Sequence, residues 1–199
     1  MSEMSDPPAR PGRPRSDAPA AHAAIMTAVY ELLQEKSARD LTMEAIARRA
    51  KVGKPTLYKW WPSKVALIMA MFQERVSRQL EAAEGATVED VLRSRVKTLI
   101  NEFNGLFGRF FADLIAEGQN DPTVLRDLYE NHISERRAST AADIERGKAA
   151  GEFSPDTDAT VLIDTLFGPL YFRLLLKADP LTEAYGDALV DQVLRGVRP

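Results

Sequence analysis

LTMEAIARRAKVGKPTLYKWWPSK, residues 41–64, is the stretch whose reading decides the fold. Thr42 is of the type that caps a helix N-terminus, and Ile46 and Ala47 follow at the spacing that turns them inward. Val52-Gly53 reads as a turn. Pro55 suits the first turn of a second short helix, where a missing N–H leaves no helical bond unmade. Pro62-Ser63 then opens a long helix in which Val65, Leu67, Ile68, Met71 and Phe72 stay apolar. Such a layout is that of a helix-turn-helix unit, whose second helix enters the major groove of DNA while its predecessor crosses the backbone. Leu41, Ile46, Ala47, Val52, Leu57 and Trp61 are placed to form its small core. Lys54, Thr56, Tyr58, Lys59 and Trp60 remain for the surface.

Outward from this unit the chain reads as helix in both directions. Ile25, Val29, Leu32 and Leu33 recur at helical spacing and predict a first helix near 20–36. Gly85 interrupts the long helix, and Thr87 opens another to about Phe103. A further helix is expected near 106–119. Asp121-Pro122, a cap followed by a first-turn proline, starts one that runs to about Ala150, where Gly151 stops it. Asp156 is expected to cap the next, to about Lys177, and Thr182 the last, to about Gly196. No alternating apolar pattern of strand type competes, so the fold class is all-α with about nine helices. The expected domains are a disordered basic arm (1–18), a helix-turn-helix domain (19–64, motif 42–61) and a ligand-binding and dimerisation domain (65–199).

The motif resembles that of the tetracycline-repressor (TetR) family: Thr42, Ile46-Ala47, Val52, Thr56-Leu57-Tyr58, the aromatic Trp61, and Ser63-Lys64 opening the fourth helix. The resemblance implies a dimeric repressor released from its operator by a small ligand. It also implies that Tyr58 and Lys64 contact phosphates while Lys54, Thr56 and Lys59 sit near base edges, with Thr42 and Pro55 in the same interface. The chemistry agrees, since a lysine serves phosphate or guanine acceptors and a threonine methyl meets a thymine methyl. Three departures stand out: Gly53 where a Ser cap is frequent, Pro55 for a common Gly, and Val65 where an acid is frequent. They leave the operator sequence open. At Trp60 two readings stay open, packing on the DNA backbone or inside the protein.

Residues 1–18 are rich in Pro, Ser and Arg and too poor in apolar surface to offset the entropy of ordering. Within them Arg10, Arg13 and Arg15 flank Pro and Gly in a pattern like the core of a minor-groove hook, so Arg13 and Arg15 are candidates for DNA. A silent, charged tail accounts for them equally well. Residues 1–62 carry ten Lys/Arg against seven Asp/Glu, and 63–199 carry sixteen against twenty-two. A basic front and an acidic rear orient a protein on a polyanion.

Phe103, Phe107, Phe110 and Phe111 share one helical face and include half of the chain's eight phenylalanines. They line an apolar cavity or form a close-packed core; the sequence permits both. Asn104, Tyr129, His132, Phe167 and Tyr171 are the other candidates to touch a ligand. Pro169 removes a helical hydrogen bond from the carbonyl of Thr165, so a kink is expected. Leu166, Tyr185, Leu189 and Val193 are the candidate dimer contacts, because a helix apolar on several faces must be buried on several sides.

Other classes fit less well. With no Cys, two His, and neither HExxH nor a phosphate-binding loop, the chain offers no catalytic, metal or cofactor motif, and it is read as a non-enzyme. A DNA-binding architectural protein that senses nothing is the nearer rival. No 18-residue uninterrupted apolar stretch and no secretory h-region occur, so a cytoplasmic protein without a membrane-spanning helix is expected.

Overall fold

Among the described residues six helix starts are closed by a side chain that accepts a backbone N–H, and these caps lay out the chain. The computed structural model describes residues 18–37, 40–76 and 86–198. Arg10, Arg13 and Arg15 of the basic arm, and Gly85, lie outside the described residues. Among the described residues ten α-helices follow in order: α1 (Ala18–Glu35), α2 (Met43–Arg49), α3 (Lys54–Trp60) and α4 (Lys64–Val76). Then come α5 (Val88–Asn104), α6 (Leu106–Gly118), α7 (Pro122–Leu128), α8 (Ser134–Ala149), α9 (Ala159–Leu176) and α10 (Glu183–Leu194). Thr42 accepts from the N–H of Ala45 at 3.1 Å, Ser63 from Ala66 at 2.9 Å, and Thr182 from Tyr185 at 3.1 Å. Thr87 and Asp90 make a reciprocal capping box at the head of α5. Each such cap contributes about 1 kcal/mol.

Two boundaries differ from the sequence expectation. The start of α9 is capped by Asp158, not Asp156, and its Oδ1 accepts from Thr160 at 2.8 Å and Val161 at 3.0 Å. The single helix expected from Pro122 to Ala150 is two, joined by a π-helical turn at Tyr129–Ile133. There the N–H of Ser134 reaches back to the carbonyl of Tyr129. The carbonyl of Glu130, which that N–H would serve in an α-helix, instead accepts from the Ser134 hydroxyl at 2.7 Å. The extra residue is therefore accommodated with no orphaned carbonyl at this position.

Packing is continuous from end to end. Ile25 and Val29 of α1, Ile46 of α2 and Leu57 of α3 are fully buried together with Leu67 and Ile68 of α4. The same cluster runs on through Leu92, Ile100 and Phe110 to Val190 and Leu194. Arg93 on α5 reaches Asp187 and Asp191 on α10, at 3.3 and 2.6 Å, while holding Glu89 on its own helix at 3.0 Å. Helix α9 runs unbroken through Pro169 and ends on Lys177. With a mean hydropathy of 1.5 over Ala159–Leu176, α9 is by length and composition alone apolar enough to cross a membrane, contrary to expectation. Leu162, Ile163, Leu166 and Leu170 supply the part of that hydropathy buried in the domain.

At the α5–α6 corner the two helices meet too closely for any side chain. A Cβ on Gly108 would stand 2.0 Å from the carbonyl oxygen of Phe103 and 2.6 Å from its carbon. Because the obstacle is backbone, it cannot swing aside, and Gly108→Ala is expected to cost about 1–3 kcal/mol or more. Urea unfolding of the variant should show a lower midpoint at unchanged slope; an unaltered midpoint would mean that the corner is looser than this.

Candidate DNA-reading face and effector core

The reading helix α3 is held from behind by Leu57, fully buried, and by Trp61, whose N–H closes the helix on the carbonyl of Leu57 at 2.9 Å. Its outer side presents Lys54, Pro55, Tyr58 and Lys59 to solvent, with Tyr58 51% exposed. Thr56 is half-buried. Lys54 is not a loose cation, because its Nζ lies 2.5 Å from Oε1 of Glu44 on α2. The hydrogen bond from Lys54 holds the Glu44 carboxyl below its ordinary range. Trp60 is half-buried, edge-on to Trp61 with centroids 5.5 Å apart and 5.9 Å from His22 of α1, so packing within the protein already accounts for its ring.

Lys64 departs from the phosphate-facing position that the resemblance implied. Its ammonium lies 3.5 Å from Oε2 of Glu117 on α6, and its side chain is only 20% exposed. The neighbouring Ser63 hydroxyl donates to Oδ2 of Asp127 on α7 at 2.5 Å. Both residues at the head of α4 are thus tied to the C-terminal half. Sequence reasoning missed Glu44, Asp127 and Lys51. Lys51 occupies the helix-turn-helix turn with φ +56°, a left-handed conformation that glycine takes at no steric cost. No local pattern marks a lysine for that role.

The aromatic face read from the sequence is brought together in the core. Phe103, Phe107, Phe110 and Phe111 are all buried. Phe107 stands edge-on to Phe72 of α4 at 5.0 Å, and Phe103 and Phe111 lie 5.2 and 5.6 Å from Tyr171 of α9. These are ring-on-ring contacts, and Phe103 and Phe110 also border a groove on the α1 side. Burial pushes the Tyr171 hydroxyl up. Phe167 is half-buried beside this cluster. Tyr129, at the start of the π-turn, is 52% exposed and stands outside the aromatic core. Asn104 is committed elsewhere, its Nδ2 donating to the carbonyl of Leu181 at 2.8 Å.

His132 differs from all of these. It is 7% exposed, and neither ring nitrogen has a hydrogen-bond partner among the described residues. Buried polar atoms without partners are rare and costly. Burial pushes its pKa down; the nearby carboxylates of Asp127 and Glu135 oppose this, and the Arg136 guanidinium adds to it.

Of the candidate dimer contacts, Leu166 is corrected: it is 0% exposed within its own chain and cannot meet a partner. Leu189 and Val193 are half-buried against the chain's own core, and Tyr185 lies 3.4 Å beneath the Arg173 guanidinium. The open apolar face is instead on α9, where Val161, Thr165, Gly168, Phe172 and Leu176 follow at helical spacing and are all exposed. The carbonyl freed by Pro169 belongs to Thr165, on this outer side and not in the core.

The lowered pKa of His132 carries a sign. Unfolded, the imidazole takes a proton near its ordinary value of 6.5; folded, it resists until lower pH. The unfolded state therefore binds more protons in that window, and stability falls as pH drops through 6.5 toward the lower folded value, by at most ~1.4 kcal/mol per pH unit. His132→Gln should flatten this slope in denaturation curves. An equally steep slope in the variant would assign it to other groups.

Comparison with known proteins gives one family throughout. Residues 25–71 match the family model "Bacterial regulatory proteins, tetR family", and residues 67–193 match "Tetracyclin repressor-like, C-terminal domain". The HTH-type transcriptional regulator YdeS of Bacillus subtilis is 34% identical over 188 residues, which is 94% of this chain and 93% of YdeS. UidR of Escherichia coli, also an HTH-type transcriptional regulator, is 30% identical over 158 residues, 73% of this chain and 78% of its own. A crystal structure of a TetR family transcription regulator superposes with a TM-score of 0.74 at 33% identity, covering 90% of this chain and 99% of that one. This chain belongs to the TetR family of DNA-binding, helix-turn-helix transcriptional regulators.

Proposed function

We propose that the protein is a cytoplasmic repressor that binds a palindromic operator as a homodimer and is released by a small apolar or aromatic ligand. The observation that carries this reading is the outer face of α3, where Lys54, Tyr58 and Lys59 stand free of the core on a helix anchored by Leu57 and Trp61. In the complex Tyr58 and the turn residue Lys51 take phosphates, Thr42 donates its hydroxyl hydrogen to another, and Lys54 and Lys59 address base edges. Glu44 gives way when Lys54 meets a guanine. Binding is expected to lose roughly 10³- to 10⁵-fold between about 50 and 200 mM salt if six to ten phosphates are contacted per dimer. Lys59→Ala is expected to cost about 1–3 kcal/mol and to relax preference at one half-site position. Selection on a randomised operator library checks this; an unchanged preference would reassign Lys59 to the backbone.

The dimer is assigned to the outer face of α9, continued by the half-buried Tyr185, Leu189 and Val193 of α10. Gly168 suits it, since a Cβ there would meet nothing within 4 Å and a partner helix can approach closely. Two-fold symmetry then spaces the reading helices for successive major grooves, about 34–36 Å apart. Placing a carboxylate in this face by Phe172→Asp, at a residue 57% exposed in the single chain, should leave the fold intact. Sedimentation should then show monomers, and operator affinity should collapse. A variant that remains dimeric would place the interface elsewhere.

Ligand release is assigned to the aromatic core, with His132 as the polar anchor. The unpartnered imidazole supports sensing over a purely architectural role, because it offers one donor and one acceptor that nothing among the described residues uses. A ligand that enters must part the Phe103, Phe107, Phe111 and Tyr171 rings, and Phe107 bears directly on α4.

A further inference from the structure

A groove of about 780 Å³ borders the aromatic core, sharing Phe103 and Phe110 with it, between the C-terminal end of α1, the α5–α6 corner and the connection from α9 to α10. Its volume falls in the range of small-molecule sites. Leu33, Phe103, Leu106, Leu174 and Leu181 supply apolar surface to it. Its walls are fixed in advance. Asn104 holds the α9–α10 connection through the carbonyl of Leu181, and Arg173 holds it through the carbonyl of Pro180 at 2.8 Å. The opposite wall is set by the close approach of Gly108 to the Phe103 backbone.

The charges around the groove do not cancel. Of its three carboxylates, Glu35 is bound by Arg49 at 2.8 Å, and Asp179 faces Arg173 at 3.8 Å. Asp113 is engaged within the chain. Lys36 stands beside the already neutralised Glu35, while the side chains of Arg109 and Lys177 have no hydrogen bond or ion pair among the described residues. Lys177 is also strained. It caps α9 with φ +52°, where glycine is the residue of least cost and a side chain costs of order 1 kcal/mol.

We propose that this groove is a second small-molecule site, on the α1 side of Phe103 and Phe110, that takes an apolar monoanion: a fused-ring or long-chain carboxylate. Its apolar body lies on the leucines and Phe103, and its carboxylate is held by Arg109 and Lys177. The occupant touches α1 of the reading unit on one side and the α9–α10 connection on the other.

Fluorescence titration of the full chain with pyrene-1-butyrate, and with pyrene-1-butanol as its neutral counterpart, tests this without DNA, so the outcome is independent of the operator reading. The acid should bind at least about tenfold more tightly than the alcohol, since hydrogen bonds to a charged group are worth that much or more. Arg109→Ala and Lys177→Gly should each weaken the acid by roughly tenfold and leave the alcohol unchanged. Lys177→Gly also relieves the left-handed strain, so its thermal midpoint should not fall below that of the parent, which separates loss of binding from loss of fold. Equal affinity for acid and alcohol would overturn the proposal. So would absence of acid binding, or binding that both variants retain but His132→Gln loses, which would put the probe in the aromatic core.

Discussion

The edge-on contact between Phe72 and Phe107 is the junction on which the remaining architecture depends. Phe72 belongs to α4, the helix that leaves the reading unit. Phe107 and Phe110, at 5.0 and 5.9 Å from it, belong to α6 in the C-terminal half. The two family models also meet inside α4. A boundary placed at residues 64 and 65 therefore separates functions without separating cores, because one apolar cluster runs through it. Close-packed interiors have little room to deform, so a ring displaced at α6 must be answered by a shift of α4. Truncating a buried Phe typically removes about 3–5 kcal/mol, a large share of the 5–15 kcal/mol that holds a domain folded.

Polar ties at the head of α4 restrict that answer further. Ser63 and Lys64 are bound to Asp127 on α7 and Glu117 on α6, so the helix is held at its first turn as well as at Phe72. A cation closed in this way gives the C-terminal half a grip two residues beyond Pro62, where α3 has just ended. Asp127 also lies close enough to act on the titration of His132. The orphaned imidazole, the π-turn that carries it and the grip on Ser63 thus occupy one short stretch, residues 127–134. Under the proposed function this stretch is where an effector and the reading unit contend for one conformation, with a coupling of about 1–3 kcal/mol.

Legibility in the sequence followed the range of the interaction concerned. Helix starts at Thr42, Thr87, Asp121 and Thr182 were readable because a cap acts within three residues. The π-turn was not, since it rests on the Ser134 hydroxyl taking over one carbonyl, a choice that local pattern does not reveal. Asp156 and Asp158 are both plausible caps two residues apart, and only the path of the chain distinguishes them. The outer face of α3 followed from its core residues, as the two faces of one helix determine each other. The pairing of Lys54 with Glu44 and of Lys64 with Glu117 did not, because a charged side chain in sequence carries no sign of its partner. Four phenylalanines on one face announced an aromatic cluster, while their mutual packing depended on Phe72 and Tyr171 from distant helices. Leu166 illustrates the limit for interfaces: on a helix apolar all round, composition does not say which face the chain keeps for itself.

That ambiguity in α9 has a physical origin. One face, through Leu162, Ile163, Leu166 and Leu170, belongs to the domain, and the opposite face, through Val161, Phe172 and Leu176, is open. A helix asked to serve two apolar surfaces acquires the composition of a membrane span without needing a membrane. The inner side of the same helix carries Tyr171, whose ring touches Phe103 at 5.2 Å; Phe103 stacks on Phe107 at 6.2 Å, and Phe107 meets Phe72 at 5.0 Å. Four helices, α9, α5, α6 and α4, are thereby joined ring to ring from the proposed dimer face to the reading unit. Contiguity alone transmits nothing; coupling requires an element with two arrangements that both sites bias. In the proposed mechanism that element is the ring set itself, closed when the core is empty and parted when a ligand lies within it. With α9 held in the proposed dimer, parted rings would carry α4 with α6 and α7, to which Lys64 and Ser63 tie it, and so change the separation of the two reading helices.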